Sequence, residues 1–166
     1  MHMTEGKRVI VIGCPGSGKS VFSRALQKKT GLPLYHLDLM YWNEDRTTVP
    51  KEEFRRRLSA VLQTPEWIID GNYGSTMEMR FSACDTVVFL DYPTEVCISG
   101  IRARMGKPRP DMPWVETGED ADFLAFVKSY NQDKRPQVLA LMEKYPDKSV
   151  LWFHEREEAE RFLAEL

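Results

Sequence analysis

Gly13, Cys14, Pro15, Gly16, Ser17, Gly18, Lys19 and Ser20 carry the most specific chemistry in the chain. They satisfy G-x-x-x-x-G-K-[ST] without a mismatch, the spacing of a phosphate-binding loop, or P-loop. Glycine at 13, 16 and 18 permits positive φ and leaves no Cβ between backbone and ligand. The loop's N–H groups can then converge on an anion at the N-terminus of the next helix, where the dipole favours negative charge. In such a loop Lys19 reaches the β- and γ-phosphates and the Ser20 hydroxyl ligates Mg²⁺, with Val21 following in the nucleotide-contacting set. The flanks agree: residues 8–12 form an apolar run of strand length, and 21–29 have helical character. Strand, loop and helix in that order separate the motif from a chance Gly-rich turn. A bound nucleoside triphosphate is expected.

A single loop cannot carry out a reaction, so other elements must bring further groups to it. Gly31 reads as the C-cap of the first helix, and Pro33 stops continuation. A second strand is expected over 34–38, ending on Asp38. A helix then opens near Thr48 and Pro50, with Phe54, Leu58, Val61 and Leu62 on one face. Residues 67–70 form a third strand ending on Asp70, and 86–90 a fourth, followed by Asp91. The fourth is a continuous apolar run of the kind buried in parallel sheets. Pro93 opens a helix to about 104, and 105–118, rich in Pro and Gly, reads as a mobile segment. Thr117 is expected to cap a helix carrying Phe123, Phe126, Val127 and Tyr130. A helix follows Pro136, a fifth strand spans 149–153 and a closing helix 155–166.

Strands alternating with helices imply an α/β fold, a parallel sheet covered on both faces. Ligands of such sheets gather beyond the carboxyl ends of the strands. The P-loop, Asp38, Asp70 and Asp91 all fall there. Asp70 and Asp91 are alternative carriers of Mg²⁺, since each ends an apolar strand. Asp38 can orient an acceptor hydroxyl or serve as a turn carboxylate. Trp42, beside Tyr41, can stack on a planar acceptor or simply pack. His36 reads as a hydrogen-bonded strand histidine, and the triplet 55–57 of arginines as a solvated helix face.

The remaining cations cluster. Arg102, Arg104, Lys107 and Arg109 fall within eight positions, with Lys134 and Arg135 later. Phosphoryl transfer is accelerated mainly by positioned cations around the moving group. A hinged segment bearing several is what a closing lid requires.

Composition bounds the rest. A chain of 166 residues, 42% hydrophobic and 29% charged, fits one globular domain over 1–166. No apolar run is long enough to span a membrane and none near the start resembles a secretory signal, so a cytoplasmic protein is expected. Cys14, Cys84 and Cys97 show neither CxxC nor zinc spacing. They read as reduced thiols without a metal, and Cys14 is singled out because an anion-binding loop can lower a thiol pKa. A net charge of −2 gives no overall attraction to nucleic acid, and direct binding of DNA is not expected. A monomer is expected, since no heptad stripe is present.

Beyond the P-loop, the recurring pieces are His36-Leu37-Asp38 with Tyr41-Trp42, and Asp70-Gly71-Asn72-Tyr73. Phe89-Leu90-Asp91-Tyr92-Pro93, Gly106-Lys107-Pro108-Arg109-Pro110-Asp111-Met112 and Arg135-Pro136 complete the set. Together they resemble the small bacterial adenylate-kinase-related proteins labelled DNA topology modulation proteins, over essentially the whole chain. The resemblance implies a nucleoside-monophosphate-kinase-like fold with strand order 2-3-1-4-5, a lid over about 105–135, and ATP as donor. It also favours Asp70 over Asp91 for Mg²⁺. The catalytic set is then Lys19, Asp38, Arg104, Arg109 and Arg135, and the acceptor set Asp38, Trp42, Asn72, Tyr73 and Arg80.

Two departures stand out. Adenylate-kinase-like relatives carry an arginine nine residues after the strand-four aspartate, where this chain has Gly100; Arg104 lies one turn further on that face. They also follow the strand-three Asp-Gly with an aromatic residue and Pro-Arg, where this chain has Asn72 and Tyr73 and its nearest arginine is Arg80. AMP is therefore not the expected acceptor. The leading expectation is ATP- and Mg²⁺-dependent transfer to a small hydroxylated molecule, a nucleoside, nucleotide or other metabolite. Its rivals are an NTP-binding regulator of DNA topology and a nucleotide binder without kinase activity.

Overall fold

The computed structural model describes residues 6–107, 113 and 121–166. Among these, five parallel strands form one sheet in the order β2-β3-β1-β4-β5. β1 (Arg8–Gly13) is central, between β3 (Trp67–Asp70) and β4 (Thr86–Leu90); β2 (Leu34–His36) and β5 (Ser149–Phe153) form the edges. The expected order of strands is the observed one.

The sheet divides the apolar residues by their alternation along each strand. Val9, Val11, Ile68, Val88 and Leu90 face one side. They meet Phe22 and Leu26 of α1 (Lys19–Thr30), Cys97 and Ile101 of α5 (Thr94–Arg104), Val127 and Tyr130 of α6 (Ala121–Asp133) and Ala159 of α8 (Arg156–Glu165). Ile10, Ile12, Trp67, Ile69, Val87 and Phe89 face the other. There they bury Leu37 of α2 (Leu37–Tyr41), Phe54 and Leu58 of α3 (Lys51–Leu62), Phe81 of α4 (Gly74–Ala83) and Val138 of α7 (Arg135–Lys144). Burial on both faces explains why these strands are nearly unbroken apolar runs.

Register brings the strand ends together. Val11 pairs with Asp70, His36 with Asp70, and Gly13 with Leu90. Asp70 thus stands two residues short of the loop's first glycine on the neighbouring strand.

Three local expectations change. The second strand stops at His36, and residues 37–41 turn into α2, so Asp38 lies in the first turn of a short helix rather than at a strand exit. Residues 74–83 form α4, a helix the sequence pattern does not announce. Its N-cap is Tyr73, in the left-handed region at φ 40° with no side-chain cap, and its buried face mixes Thr76 and Arg80 with Met77 and Phe81. Long-range contacts therefore specify this helix more than capping or periodicity does. α7 begins at Arg135, with Pro136 inside its first turn, where a missing N–H costs nothing. The expected cap at Thr117 and most of the segment 105–118 lie outside the described residues.

Gly100, the departure noted above, has a packing cause. A Cβ there would stand 2.0 Å from the backbone oxygen of Gly16, and a Cβ on Gly16 would stand 2.0 Å from the Cys97 carbonyl oxygen. The α5 backbone rests directly on the P-loop. An arginine at 100 is incompatible with that approach.

Gly100→Ala sets two effects against each other. Helix propensity favours alanine by about 1 kcal/mol, whereas forcing a methyl against fixed backbone costs about 1–3 kcal/mol. Overpacking should win, so urea unfolding is expected to show a lower midpoint. An unchanged or higher midpoint would contradict this contact.

Candidate active site

The P-loop begins where β1 ends and closes where α1 begins. Gly16 and Gly18 adopt φ of 88° and 96°, which L side chains rarely take. The Ser17 N–H donates to the Cys14 carbonyl at 3.0 Å, closing the turn. Lys19 folds its ammonium back onto the loop, donating to the Gly13 carbonyl at 3.0 Å and the Cys14 carbonyl at 3.5 Å. Burial holds its pKa below the ordinary lysine range, opposed by the carboxylates of Asp70 and Asp38. Pro15, Gly16, Gly18, Lys19, Ser20 and Val21 line a cleft of about 1030 Å³. Cys14 and Ser17 are buried behind it, and Val21 is exposed at its mouth.

Asp70 is 5% exposed and also lines the cleft; its Oδ2 lies 2.7 Å from His36 Nδ1. His36 is thus hydrogen-bonded, as expected, and its partner is the candidate metal acid. The Ser20 hydroxyl is buried with no hydrogen-bond partner. A lone hydroxyl beside one carboxylate suits Mg²⁺, which takes few protein ligands and completes its shell with water and phosphate oxygens. Asp91, the alternative acid, is otherwise engaged. Arg135 donates to both of its oxygens at 2.9–3.0 Å and the Trp152 indole N–H donates at 3.0 Å. That cluster ties α7 to the end of β4.

Four of the five residues expected around the acceptor line the cleft, and one does not. Asp38, Trp42 and Tyr73 line the cleft, and the Tyr73 hydroxyl donates to Asp38. Desolvation and the neighbouring Asp38 charge raise the Tyr73 pKa well above the usual phenol range. Tyr73 is thus a neutral donor at physiological pH, held in a strained φ by its ring packing against Tyr41 and Phe54. Asn72 lines the cleft but spends its amide on the P-loop: it accepts from the Gly13 N–H at 3.3 Å and donates to the Gly13 carbonyl at 2.7 Å. Arg80 does not face an acceptor. It is fully buried, donates to the Gly71 carbonyl at 3.0 Å and the Tyr73 carbonyl at 3.0 Å, and also to the Asn72 carbonyl. Burial lowers its pKa to about 9, which still leaves a cation to hold the loop 71–73.

Of the expected lid cations, Arg104 and Lys107 line the cleft, joined by Lys134. Arg104 also lies 5.8 Å over the Phe123 ring. Arg135, expected among the catalytic groups, turns to Asp91 because a nearly buried carboxylate (6% exposed) outcompetes solvent for the guanidinium fork. Arg109 lies outside the described residues.

The Cys14 thiol is not activated by its place in the loop. Its hydrogen bond with the Cys97 thiol, then burial, hold its pKa above the ordinary range; the same hydrogen bond lowers that of Cys97. Loop position alone does not create a reactive thiolate when the site is apolar.

One contributor escapes sequence reasoning altogether. Arg156, the first residue of α8, lines the cleft and donates to the Ser17 and Gly16 carbonyls, each at 2.9 Å. It lies more than a hundred residues from the loop in a charged helix start, and no spacing rule singles it out.

No protein-family model matches the chain, and no curated protein matches its sequence. Solved structures do resemble it. Shikimate kinase from Acinetobacter baumannii, in complex with shikimate, superposes with a TM-score of 0.65 at 14% identity, over 98% of this chain and 92% of that one. Shikimate kinase from Bacteroides thetaiotaomicron gives 0.61 at 19%, over 96% and 95%. A sugar kinase from Janibacter gives 0.55 at 19%, over 96% and 91%. At such identities the likeness establishes the fold, which is that of the small P-loop kinases.

Proposed function

We propose that this protein transfers the terminal phosphoryl group of ATP, with Mg²⁺, to a hydroxyl of a small-molecule acceptor. The observation that carries the reading is one cleft lined by the P-loop Lys19 and Ser20, the carboxylates Asp70 and Asp38, and the cations Arg104, Lys107 and Lys134. Each group has a task there. Lys19 leaves its loop carbonyls for the β- and γ-phosphates. Ser20 and Asp70, the latter oriented by His36, hold Mg²⁺, which neutralises phosphate charge when bound. Asp38 accepts the acceptor's hydroxyl proton, and the Tyr73 hydroxyl keeps that carboxylate aimed. Arg104, Lys107 and Lys134 stabilise the charge that spreads over the moving group, the main source of acceleration in such transfers. Trp42 supplies a flat apolar wall for the acceptor.

Among the motifs that carry the resemblance to topology modulation proteins, those around Asp38 and Asp70 border the same cleft. The names of the structural neighbours make shikimate and simple sugars sensible first acceptors, beside nucleosides and nucleotides.

An ADP-release screen over those acceptors tests the reading. At least one is expected to stimulate turnover, supercoiled DNA to leave it unchanged, and Lys19→Ala to abolish it with the melting temperature preserved. Stimulation by DNA alone would transfer the assignment to the rival regulator.

Asp38→Asn keeps the Tyr73 hydrogen bond and removes the base. Steady-state kinetics with the acceptor so found should show kcat lowered about 10²–10⁴-fold, with the Kd for ATP little changed. A loss confined to acceptor KM would leave Asp38 a binding group.

Asp70→Asn is expected to raise the Mg²⁺ concentration needed for half-maximal activity by about 10–100-fold. Asp91→Asn should instead lower the melting temperature, because it breaks the Arg135 and Trp152 cluster, and leave the Mg²⁺ requirement near wild type. The reverse pattern would make Asp91 the metal acid.

A further inference from the structure

We infer that Arg156 is a positioning residue of the donor-phosphate site, acting through the P-loop backbone rather than on the nucleotide. The inference rests on the donor site proposed above and deepens it. The guanidinium spends its fork on two adjacent carbonyls: one nitrogen donates to Ser17 and the other to Gly16, both at 2.9 Å. Its Cζ lies 5.5 Å from the centroid of the Tyr92 ring, a cation–π contact. Two glycines make room for it. A Cβ on Gly18 would stand 3.0 Å from one of its terminal nitrogens and a Cβ on Gly100 3.0 Å from the other. Gly100 therefore serves two contacts, the backbone approach of α5 to Gly16 and the seat of this guanidinium.

The consequence follows from peptide geometry. A trans peptide sends its C=O and its N–H in opposite directions. Holding the Ser17 carbonyl on Arg156 therefore turns the Gly18 N–H away from the guanidinium, and Gly18 borders the cleft. Holding the Gly16 carbonyl on Arg156 likewise turns the Ser17 N–H away from the guanidinium, where it closes the turn onto Cys14 at 3.0 Å. A phosphate-binding loop depends on its N–H groups being aimed before the anion arrives. Two charge-assisted hydrogen bonds from one rigid, planar cation set both peptides at once. Lysine, a single point donor, cannot span both carbonyls.

Isothermal titration with Mg²⁺-ATP and with inorganic tripolyphosphate tests this on wild type, Arg156→Met, Arg156→Lys and Lys19→Ala. Methionine keeps an apolar stem over Tyr92 and removes every donor. Arg156→Met is expected to weaken both ligands by a similar factor, at least about tenfold, with Arg156→Lys intermediate for both. Amide NMR supplies a readout that simple loss of stability does not move: the Gly18 resonance should shift on adding tripolyphosphate to wild type and shift less in Arg156→Met. Wild-type affinity for both ligands in Arg156→Met overturns the inference, as does a loss confined to ATP, which would assign Arg156 to the base. If Arg156→Met does not fold, Arg156→Lys decides alone, and wild-type affinity there overturns the inference too. Should Lys19→Ala lose both ligands while Arg156→Met keeps them, the donor site stands and only the role of Arg156 falls. Wild type binding neither ligand removes the donor site itself.

Discussion

The rest of the structure depends on how the P-loop satisfies its own carbonyls. A loop that turns N–H groups toward an anion must turn its C=O groups somewhere else, and buried carbonyls without partners are costly. Here four of them meet donors. The Gly13 oxygen accepts from Asn72 at 2.7 Å and from Lys19 at 3.0 Å. Cys14 accepts from the Ser17 N–H at 3.0 Å, and Gly16 and Ser17 accept from Arg156 at 2.9 Å. These donors come from the end of β3, from the loop itself and from the start of α8. The loop is therefore a meeting point of distant segments.

The same constraint explains the glycines that face it. Gly16 and Gly100 bring two backbones into contact, so α5 braces the loop without an intervening side chain. Behind the neighbouring strand end, Arg80 gathers the carbonyls of 71–73 and so presents Asn72 to the loop and Tyr73 to Asp38. A buried arginine is expensive unless its donors are used, and three consecutive carbonyls engage its terminal nitrogens, leaving Nε–H without a partner. Its position suits a structural cation better than a substrate ligand.

Charge is arranged on the same plan. Lys19 sits in a site dry enough to depress its pKa, and the carboxylates of Asp70 and Asp38 offset that penalty. Asp91, the acid at the end of β4, instead pairs with Arg135 and holds α7 against the sheet. Two strand-end aspartates that look alike in sequence thus divide between the cleft and the frame. What separates them is the neighbour each meets: His36 from β2 for Asp70, Arg135 and Trp152 for Asp91.

Much of this was legible in the chain itself, because local rules govern it. The P-loop is a contiguous motif whose glycines answer to backbone conformation. The strands at 67–70, 86–90 and 149–153 are short apolar runs between turn signals, and alternation with helices dictates a parallel sheet. Residues whose partners are distant were beyond such rules. Asn72 reads as an acceptor ligand, yet its amide meets Gly13, 59 positions earlier. Arg135 read as a lid cation until Asp91, 44 positions earlier, claimed it. The helix at 74–83 lacks a cap signal because Tyr73 enters it in a strained conformation that ring packing maintains. Arg156 was unreadable for the same reason. Spacing along the chain specifies which backbone can bend around a phosphate, whereas the direction a long side chain takes is decided by whichever buried carbonyl or carboxylate the tertiary structure leaves for it.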